Sequence, residues 1–288
     1  MESIHRTVLL NETIEGLNLK SDCVVLDCTF GGGGHSREVL RRFPKARIIA
    51  LDQDKSVWKN DDARISFHNE NFSNLDKVLR GEKVDGIIFD LGLSSDQLEN
   101  SGRGFSFLKN EPLLMTIKEN PQAEDITAKE IVNSWEEKNL ADVIYGYGEE
   151  RYARGIAKAI VEARKEIEIK TTFDLVKIIK GAVPASYRRG RINPATRTFQ
   201  ALRIAVNDEL GVLKDGLEKG FEKLKAGGRM AVISFHSLED RIAKKFYKGL
   251  EREGKAKLIN KKPVEASPEE LKSNPRSRSA KLRILSRL

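Results

Sequence analysis

Cysteine is scarce in this chain of 288 residues, and long apolar runs are missing. The only two cysteines, Cys23 and Cys28, do not have C-x-x-C spacing, so neither a disulfide scaffold nor a zinc site is indicated. No segment approaches about eighteen consecutive apolar residues, and the amino terminus has no apolar leader. The sequence therefore predicts neither a signal peptide nor a membrane span, and a cytoplasmic protein without a metal is expected.

Positive charge, by contrast, is in excess. Lysine and arginine number 51 against 43 acidic residues, which gives a net charge of +8 and a pI near 9.3. Such a balance favours a polyanionic partner, and nucleic acid is the leading candidate. The length allows one large core with enough chain left for a second small domain or an insertion.

A glycine-rich stretch near the start of the chain carries the clearest motif. The apolar run Val24–Asp27 is typical of a buried parallel strand, and it is followed by Gly31–Gly34 and a helical pattern from Ser36 to Phe43. Glycine allows a sharp turn at positive φ and lets a ligand approach the main chain closely. A strand, a glycine turn and a helix in this order predict a nucleoside site.

The glycine spacing narrows the choice of ligand. Gly31 and Gly33 match the first two positions of G-x-G-x-x-G, but Ser36 stands at the third, which disfavours a nicotinamide-dependent enzyme. Asp52 ends the next apolar run, where its carboxylate could accept hydrogen bonds from both hydroxyls of a ribose. The alternatives are an ordinary tight turn at the glycines and a helix cap at Asp52.

Alternating apolar runs and helical patterns continue as far as Asp90, which implies a parallel sheet with crossover helices. In such sheets ligands bind beyond the carboxyl ends of the strands, so Asp27, Asp52 and Asp90 are expected to converge on one rim. Phe72, after the third strand, could lie against a purine ring there. His236 follows a later strand, Arg229–Ser234, and is either packed at the rim or part of the site.

The middle of the chain predicts helices only, over Ala123–Ala182, with Thr127 and Thr172 as caps. A basic turn, Tyr187–Arg197, leads into one long helix that ends near Lys225. The predicted division is therefore a sheet domain over 1–107, an inserted helical domain over 108–195 and the rest of the sheet domain over 196–288.

Two expectations concern the carboxyl-terminal part of the chain. Ser237 and Asp240 are expected to form a variant capping box at the next helix. Gly254–Arg276 predicts a mobile loop, and Ser279–Ser286 a last strand.

Eight sequence blocks along the whole chain resemble the ribosomal RNA small-subunit methyltransferase H family, also called MraW. These blocks are His5–Leu10, Asp27–Ser36, Asp90–Leu98, Arg103–Phe107, Tyr147–Arg151, Pro194–Ala201, Ser234–Arg241 and Asn274–Ala280. The chain departs from the family pattern at Leu114 and Thr116, which stand where an acidic and a basic residue are usual.

The resemblance implies an S-adenosylmethionine-dependent enzyme that methylates N4 of a cytidine in the decoding region of small-subunit ribosomal RNA. It implies an α/β fold with a mostly parallel class I methyltransferase sheet and an inserted helical domain. The expected partner is this RNA within the assembled or nearly assembled subunit, and homodimer formation is left open. The implied cofactor contacts are Gly33, Gly34, His35, Asp52, Phe72, Asp90 and Gln97.

The chemistry of methyl transfer to cytosine suggests further residues that could contact the substrate base. The lone pair of the cytosine amine is delocalised into the ring and must be localised. Asp90 or the backbone after it is expected to orient either the amine or the cofactor. No ring follows Asp90 directly, and Phe105 or Phe107 is expected to hold the base unless these rings pack in the core.

Arg188, Arg189, Arg191 and Arg197 are expected to contact RNA phosphates, the alternative being ion pairs with nearby acidic residues. A non-catalytic RNA-binding assembly factor with the same fold is the alternative function.

Overall fold

The computed structural model describes residues 6–57, 62–119, 121 and 125–288, without the side chains of Val57, Ser95 and Asp96. Within these residues one sheet contains seven strands: β1 (Val24–Asp27), β2 (Arg47–Leu51), β3 (Ile65–His68), β4 (Val84–Asp90), β5 (Leu224–Ser234), β6 (Ala256–Leu258) and β7 (Lys281–Arg287). Their order is β3-β2-β1-β4-β5-β7-β6.

Strand direction in this sheet follows the predicted pattern. The pairs within β3-β2-β1-β4-β5 are parallel, and β7 runs antiparallel to both β5 and β6. Asp27 is paired with Ala50 on one side and with Ile88 on the other, so the carboxyl ends of β1, β2 and β4 lie at one edge. The predicted α/β class with a mostly parallel sheet is confirmed.

Helices alternate with these strands along the chain and fill its middle part. They are α1 (Leu10–Leu17), α2 (Gly34–Arg42), α3 (Leu75–Leu79), α4 (Ser95–Asn100), α5 (Ala128–Ser134), α6 (Glu137–Gly148), α7 (Ala153–Glu166), α8 (Thr172–Ala182), α9 (Ala185–Arg188), α10 (Thr196–Asn207), α11 (Glu209–Lys223), α12 (Ser237–Arg252) and α13 (Pro268–Ser273). No described helix is long and apolar enough to cross a membrane.

The chain divides into two compact units. One unit contains the chain up to Ser94 together with Leu210–Leu288, and the other is Ser95–Glu209. The predicted boundaries followed residues 107 and 195. The helical unit is larger because flanking residues pack within it: the Phe107 and Phe199 rings meet edge to face at 5.5 Å, and Asn207 Nδ2 donates to the Met115 carbonyl.

The single long helix predicted up to Lys225 is wrong. Asp208 adopts a left-handed conformation with φ 44°, which ends α10 and separates it from α11. A charged contact holds this corner, because the Arg203 guanidinium donates to both carboxylate oxygens of Glu209 at 2.7 and 2.8 Å. Local helical periodicity continues through the corner and therefore does not reveal it.

Both faces of the sheet are buried. One face packs Leu26, Ile87 and Phe89 into a core cluster that includes side chains of α11 and α12. The opposite face packs Val25 and Ile88 into a second cluster with side chains of α1 and α2. Burial on both faces explains why these strands appear in the sequence as continuous apolar runs.

Three predicted helix caps can be compared with the structure. Thr127 is confirmed, because its side chain accepts the Glu130 N–H at 3.2 Å. Thr172 is wrong by one position: Thr171 caps α8 and forms a capping box with Asp174, while Thr172 is buried.

The predicted cap at Ser237 is also wrong, because the N-cap of α12 is His236. Asp240, expected in the same capping box, instead accepts bonds from the Arg283 guanidinium of β7 at 2.7 and 3.1 Å.

The carboxyl-terminal segment is more ordered than its composition predicts. The loop expected over Gly254–Arg276 contains β6 and α13, so that expectation is wrong. Ser267 caps α13 by accepting the Glu270 N–H, and Pro268 occupies the first helical position. The last strand is confirmed as β7.

Candidate functional site

The glycine turn after β1 has the positive φ angles that its composition predicts. Gly31 and Gly33 adopt φ values of 48° and 71°. A Cβ at Gly33 would lie 2.6 Å from Cζ of Phe30, so a side chain has no room there. At Gly31, by contrast, a built Cβ would have only the Thr29 carbonyl near it, at 3.9 Å, so the main chain there is open to close approach by a ligand.

Asp52 holds this turn from the end of β2. Its Oδ2 accepts the Gly31 N–H at 2.8 Å, and its Oδ1 accepts the Asp54 N–H at 2.9 Å. Burial raises the pKa of Asp52 to about 6, although these two backbone bonds lower it. Asp54, not Asp52, accepts the Ser56 N–H at the following short 3-10 helix. The helix-cap alternative for Asp52 is thus not what the structure shows.

Asp27 at the end of β1 ties the same turn to the sheet. It is buried, and its carboxylate accepts bonds from the Ser36 hydroxyl at 2.6 Å and the Thr29 N–H at 3.2 Å. Burial raises the pKa of Asp27 to about 6. This residue was predicted at the rim but was not among the cofactor contacts. Its role here is to hold the first turn of α2 against β1.

Asp90 ends β4 and is the most perturbed carboxyl group of the rim. Its N–H donates to the Thr29 hydroxyl at 2.7 Å, and its Oδ2 lies 3.6 Å from Nδ1 of His35 in α2. Burial, followed by the charges of Asp27 and Glu239, raises the pKa of Asp90 to about 8. Asp90 Oδ1 is buried and has no hydrogen-bond partner among the described residues. A cation or an N–H donor would satisfy this oxygen.

The other predicted cofactor contacts fall in different places. Gly34 and His35 open α2 beside the turn. Phe72 lies in a 3-10 helix after β3, where its ring meets Phe89 edge to face at 5.4 Å. Gln97 is buried in α4 and belongs to the helical unit. Its contact with the cofactor stays a prediction.

His236 was considered for the site, and the structure shows what holds it. Its side chain accepts the Glu239 N–H at the start of α12, and Glu239 Oε2 accepts the His236 N–H at 3.2 Å. The buried Glu239 is one of the two charges that raise the pKa of Asp90. Sequence reasoning missed Glu239, although its position three residues after the cap is the usual acidic position of a capping box.

The two phenylalanines expected at the base have protein partners in the helical unit. Phe105 is buried, and the Arg103 guanidinium carbon lies 5.5 Å from its ring centroid. Phe107 packs on Phe199. Both rings are therefore anchored, and contact with a base stays a prediction.

The basic turn of the helical unit is open to solvent. Arg188, Arg189 and Arg191 are exposed, and none of them forms an ion pair with a described carboxylate. Arg188 Nη1 donates only to the Lys180 carbonyl at 3.3 Å. The alternative in which these arginines neutralise nearby acidic residues finds no support in the described part of the chain.

The buried Glu150 holds two tyrosines in place beside the basic turn. Glu150 accepts the Tyr187 hydroxyl at 2.5 Å and the Tyr152 N–H at 2.8 Å, which brings the two tyrosine rings to 4.9 Å. The exposed Arg151 guanidinium lies about 5 Å from both ring centroids. Arg197 also interacts with Tyr187, whose pKa is raised by burial and by Glu150.

Comparison with known proteins assigns the chain to a family. The sequence profile of the MraW methylase family matches residues 2–288. The chain belongs to the MraW methylase family. A relative from Acetivibrio thermocellus, named ribosomal RNA small subunit methyltransferase H, is 46% identical over 316 residues and 100% of each chain is covered.

A second relative and one solved structure are also similar to this MraW protein. The relative, from Clostridium botulinum strain Kyoto, has the same name and is 45% identical over 309 residues, with 99% of each chain covered. The crystal structure of an rRNA methylase from Streptococcus thermophilus covers 99% of this chain and 98% of its own, at 12% identity and a TM-score of 0.46. That structural likeness is too weak to support a conclusion.

Family membership confirms the predicted enzyme class, a methyltransferase, and its cofactor, S-adenosylmethionine. The rim suits this molecule, which supplies a methyl group on a sulfonium cation. Asp52 would hold the ribose hydroxyls, and the unsatisfied Asp90 oxygen offers an acceptor for positive charge. The open main chain at Gly31 would give the ligand access to the turn.

Replacement of Asp52 by alanine should weaken S-adenosylmethionine binding by about one to two decades, because a charge-assisted bond contributes roughly 1.5–3 kcal/mol. Calorimetry measures this affinity. Since Asp52 also holds Gly31, a cofactor analogue without ribose hydroxyls separates the two effects. Wild type should discriminate against the analogue and Asp52→Ala should not. If the variant keeps the discrimination, Asp52 does not bind the ribose.

Proposed function

We propose that this MraW methyltransferase acts on small-subunit ribosomal RNA and methylates N4 of a cytidine in the decoding region. The names of its full-length relatives support the RNA substrate. The observation that carries the chemistry is the partly buried Asp90 carboxyl group with one unsatisfied oxygen at the end of β4. The exposed arginines of the helical unit and the net charge of +8 support a polyanionic substrate.

The chemistry requires a group that localises the amine lone pair. As N4 gains the methyl group it loses one proton, and an Asp90 carboxylate would accept first the hydrogen bond and then this proton. In the protein without ligand the pKa of Asp90 is about 8, so a large share of this carboxyl group is protonated near neutral pH. Bound positive charge would favour the ionised form of Asp90, which prepares the base only when the cofactor is present.

The target base must also be unstacked from its neighbours in the RNA before it can react. A cytidine within folded RNA has to leave its stack, at a cost of a few kcal/mol. Phosphate contacts from Arg188, Arg189 and Arg191 would offset this cost, and they would apply to any RNA sequence. Arg151, held over two tyrosine rings, extends the same basic surface. The assembled subunit as substrate, a homodimer and a cytoplasmic location stay predictions.

Incubation of small subunits with methyl-labelled S-adenosylmethionine tests this function. The label should appear as N4-methylcytidine at one position of the RNA. Asp90→Asn should lower the single-turnover rate by on the order of a hundredfold, the usual scale for a positioned base. The control Asp76→Asn changes a carboxylate of α3 that pairs with Lys219, and it should leave the rate unchanged.

Each outcome of the labelling experiment has a distinct meaning. A label on another nucleoside would contradict the N4 assignment. Binding of subunits without any transfer would instead support the non-catalytic assembly factor. Full turnover by Asp90→Asn would mean that the backbone, not the carboxylate, orients the amine.

Changing Arg188, Arg189 and Arg191 together to alanine should weaken RNA binding. It should also lower the magnitude of the slope of log affinity against log salt concentration by about two to three, because fewer counterions are released on binding when three phosphate contacts are missing. S-adenosylmethionine affinity should hardly change. The matched control removes three exposed charges of α12, Lys244, Lys245 and Lys248. An equal slope change in both triple variants would indicate a general charge effect and would contradict a specific surface.

A further inference from the structure

The chain just before α1 is fastened by residues far away in sequence. We call Arg6–Leu9 the amino-terminal strap. The Arg6 carbonyl accepts a bond from Asn274 Nδ2 at 3.1 Å, and Glu270 Oε1 accepts the Leu9 N–H at 2.9 Å. Both partners come from the carboxyl-terminal segment around α13, and 261 positions separate Leu9 from Glu270. The strap and the segment around α13 are thus joined within the sheet unit.

The strap has an unfavourable backbone conformation. Leu9 has φ 50° and ψ 38°, a left-handed conformation that costs a bulky residue roughly 1–2 kcal/mol. Its side chain is completely buried in the cluster on the α1 and α2 face of the sheet. Such strain persists only where surrounding contacts enforce it, and it is concentrated at functional sites. Core packing and the Glu270 carboxylate are the contacts that enforce it here.

The strap bears directly on the glycine turn. A Cβ built on Gly34 would overlap the Thr7 hydroxyl and lie 3.0 Å from the Thr7 Cβ. Gly34 is the first residue of α2, and its φ is not positive, so its own conformation does not require glycine. The side chain of Thr7 is therefore what excludes a larger residue. The next residue is His35, which lies against Asp90.

We propose that the strap positions the cofactor turn: Glu270 and Asn274 seat Thr7 on Gly34, and this contact fixes the start of α2 in its binding conformation. Thr7 and Glu270 are then positioning residues for S-adenosylmethionine binding. The inference rests on the proposed role of the glycine turn in binding the cofactor. It is independent of which RNA base receives the methyl group.

A double-mutant cycle tests the contact, with S-adenosylmethionine affinity measured by calorimetry. Gly34→Ala should weaken binding about tenfold or more, because the new methyl group displaces Thr7 or the turn. Thr7→Ala alone should change affinity only a few-fold. The double variant should recover most of the loss, since the overlapping hydroxyl is gone. If the double variant binds as poorly as Gly34→Ala, the methyl group blocks the ligand directly and the proposal is overturned.

Variants of α13 test the distant anchor. Glu270→Ala should weaken cofactor binding about three- to tenfold, whereas Glu270→Gln should bind nearly as wild type because its amide oxygen can still accept the Leu9 N–H. Glu269→Ala, an exposed neighbour on the same helix, is the matched control and should have no effect. A lower melting temperature of Glu270→Ala with unchanged affinity would make the strap merely structural and overturn the proposal.

The RNA labelling experiment separates this inference from the proposed function. Altered cofactor affinity in the cycle, with the label on an unexpected nucleoside, would uphold the strap and contradict the N4 assignment. Labelling at N4 of cytidine with no coupling between Thr7 and Gly34 would support the proposed function and overturn the role of the strap.

Discussion

Much of this structure depends on one constraint: three buried or partly buried carboxyl groups at the ends of adjacent parallel strands each need hydrogen-bond donors or positive charge nearby. Asp27, Asp52 and Asp90 are held at one edge of the sheet, and burial raises the pKa of each. The surrounding structure supplies hydrogen-bond donors: the glycine turn donates to Asp52, and Ser36 of α2 donates to Asp27. Asp90 has the fewest donors and the highest pKa of the three. A ligand with positive charge or N–H donors would give the buried Asp90 Oδ1 the partner that it lacks among the described residues.

This constraint has a definite sign in its effect on stability. The folded pKa values lie above the ordinary aspartate value of about 3.8, so the folded state binds protons more tightly than the unfolded state. The contribution of these three groups to the free energy of unfolding is therefore largest at acidic pH. The contribution is lost as pH rises through about 6 for Asp27 and Asp52 and about 8 for Asp90. A cationic ligand opposes the loss by favouring the ionised carboxylates. If the cofactor cation binds beside Asp90, as proposed, cofactor binding and the ionisation of these carboxyl groups are linked.

Features set by local pattern could be predicted from the sequence. The apolar runs predicted β1 to β5 because both faces of the sheet are buried, and the rule for strand ends placed Asp52 and Asp90 at one edge. The break at Asp208 could not be predicted, because helical periodicity continues on both sides of it. The bond between Leu9 and Glu270 joins residues 261 positions apart, so no local pattern reveals it. Ser267, Pro268 and Glu270 do form a recognisable helix start, which is a signal for α13 within a segment of loop-like composition.

Calorimetric titrations of cofactor and product across pH test most directly whether this edge of the sheet is built to accept a cation. S-adenosylmethionine carries a positive sulfonium, whereas S-adenosylhomocysteine is the uncharged thioether with otherwise similar contacts. Between about pH 6 and pH 8, S-adenosylmethionine binding should release up to about one proton more than product binding, and its affinity should rise with pH relative to that of the product. Asp90→Asn should remove most of this difference. Identical pH dependence of the two ligands in the wild-type protein would contradict a cation-accepting role for Asp90.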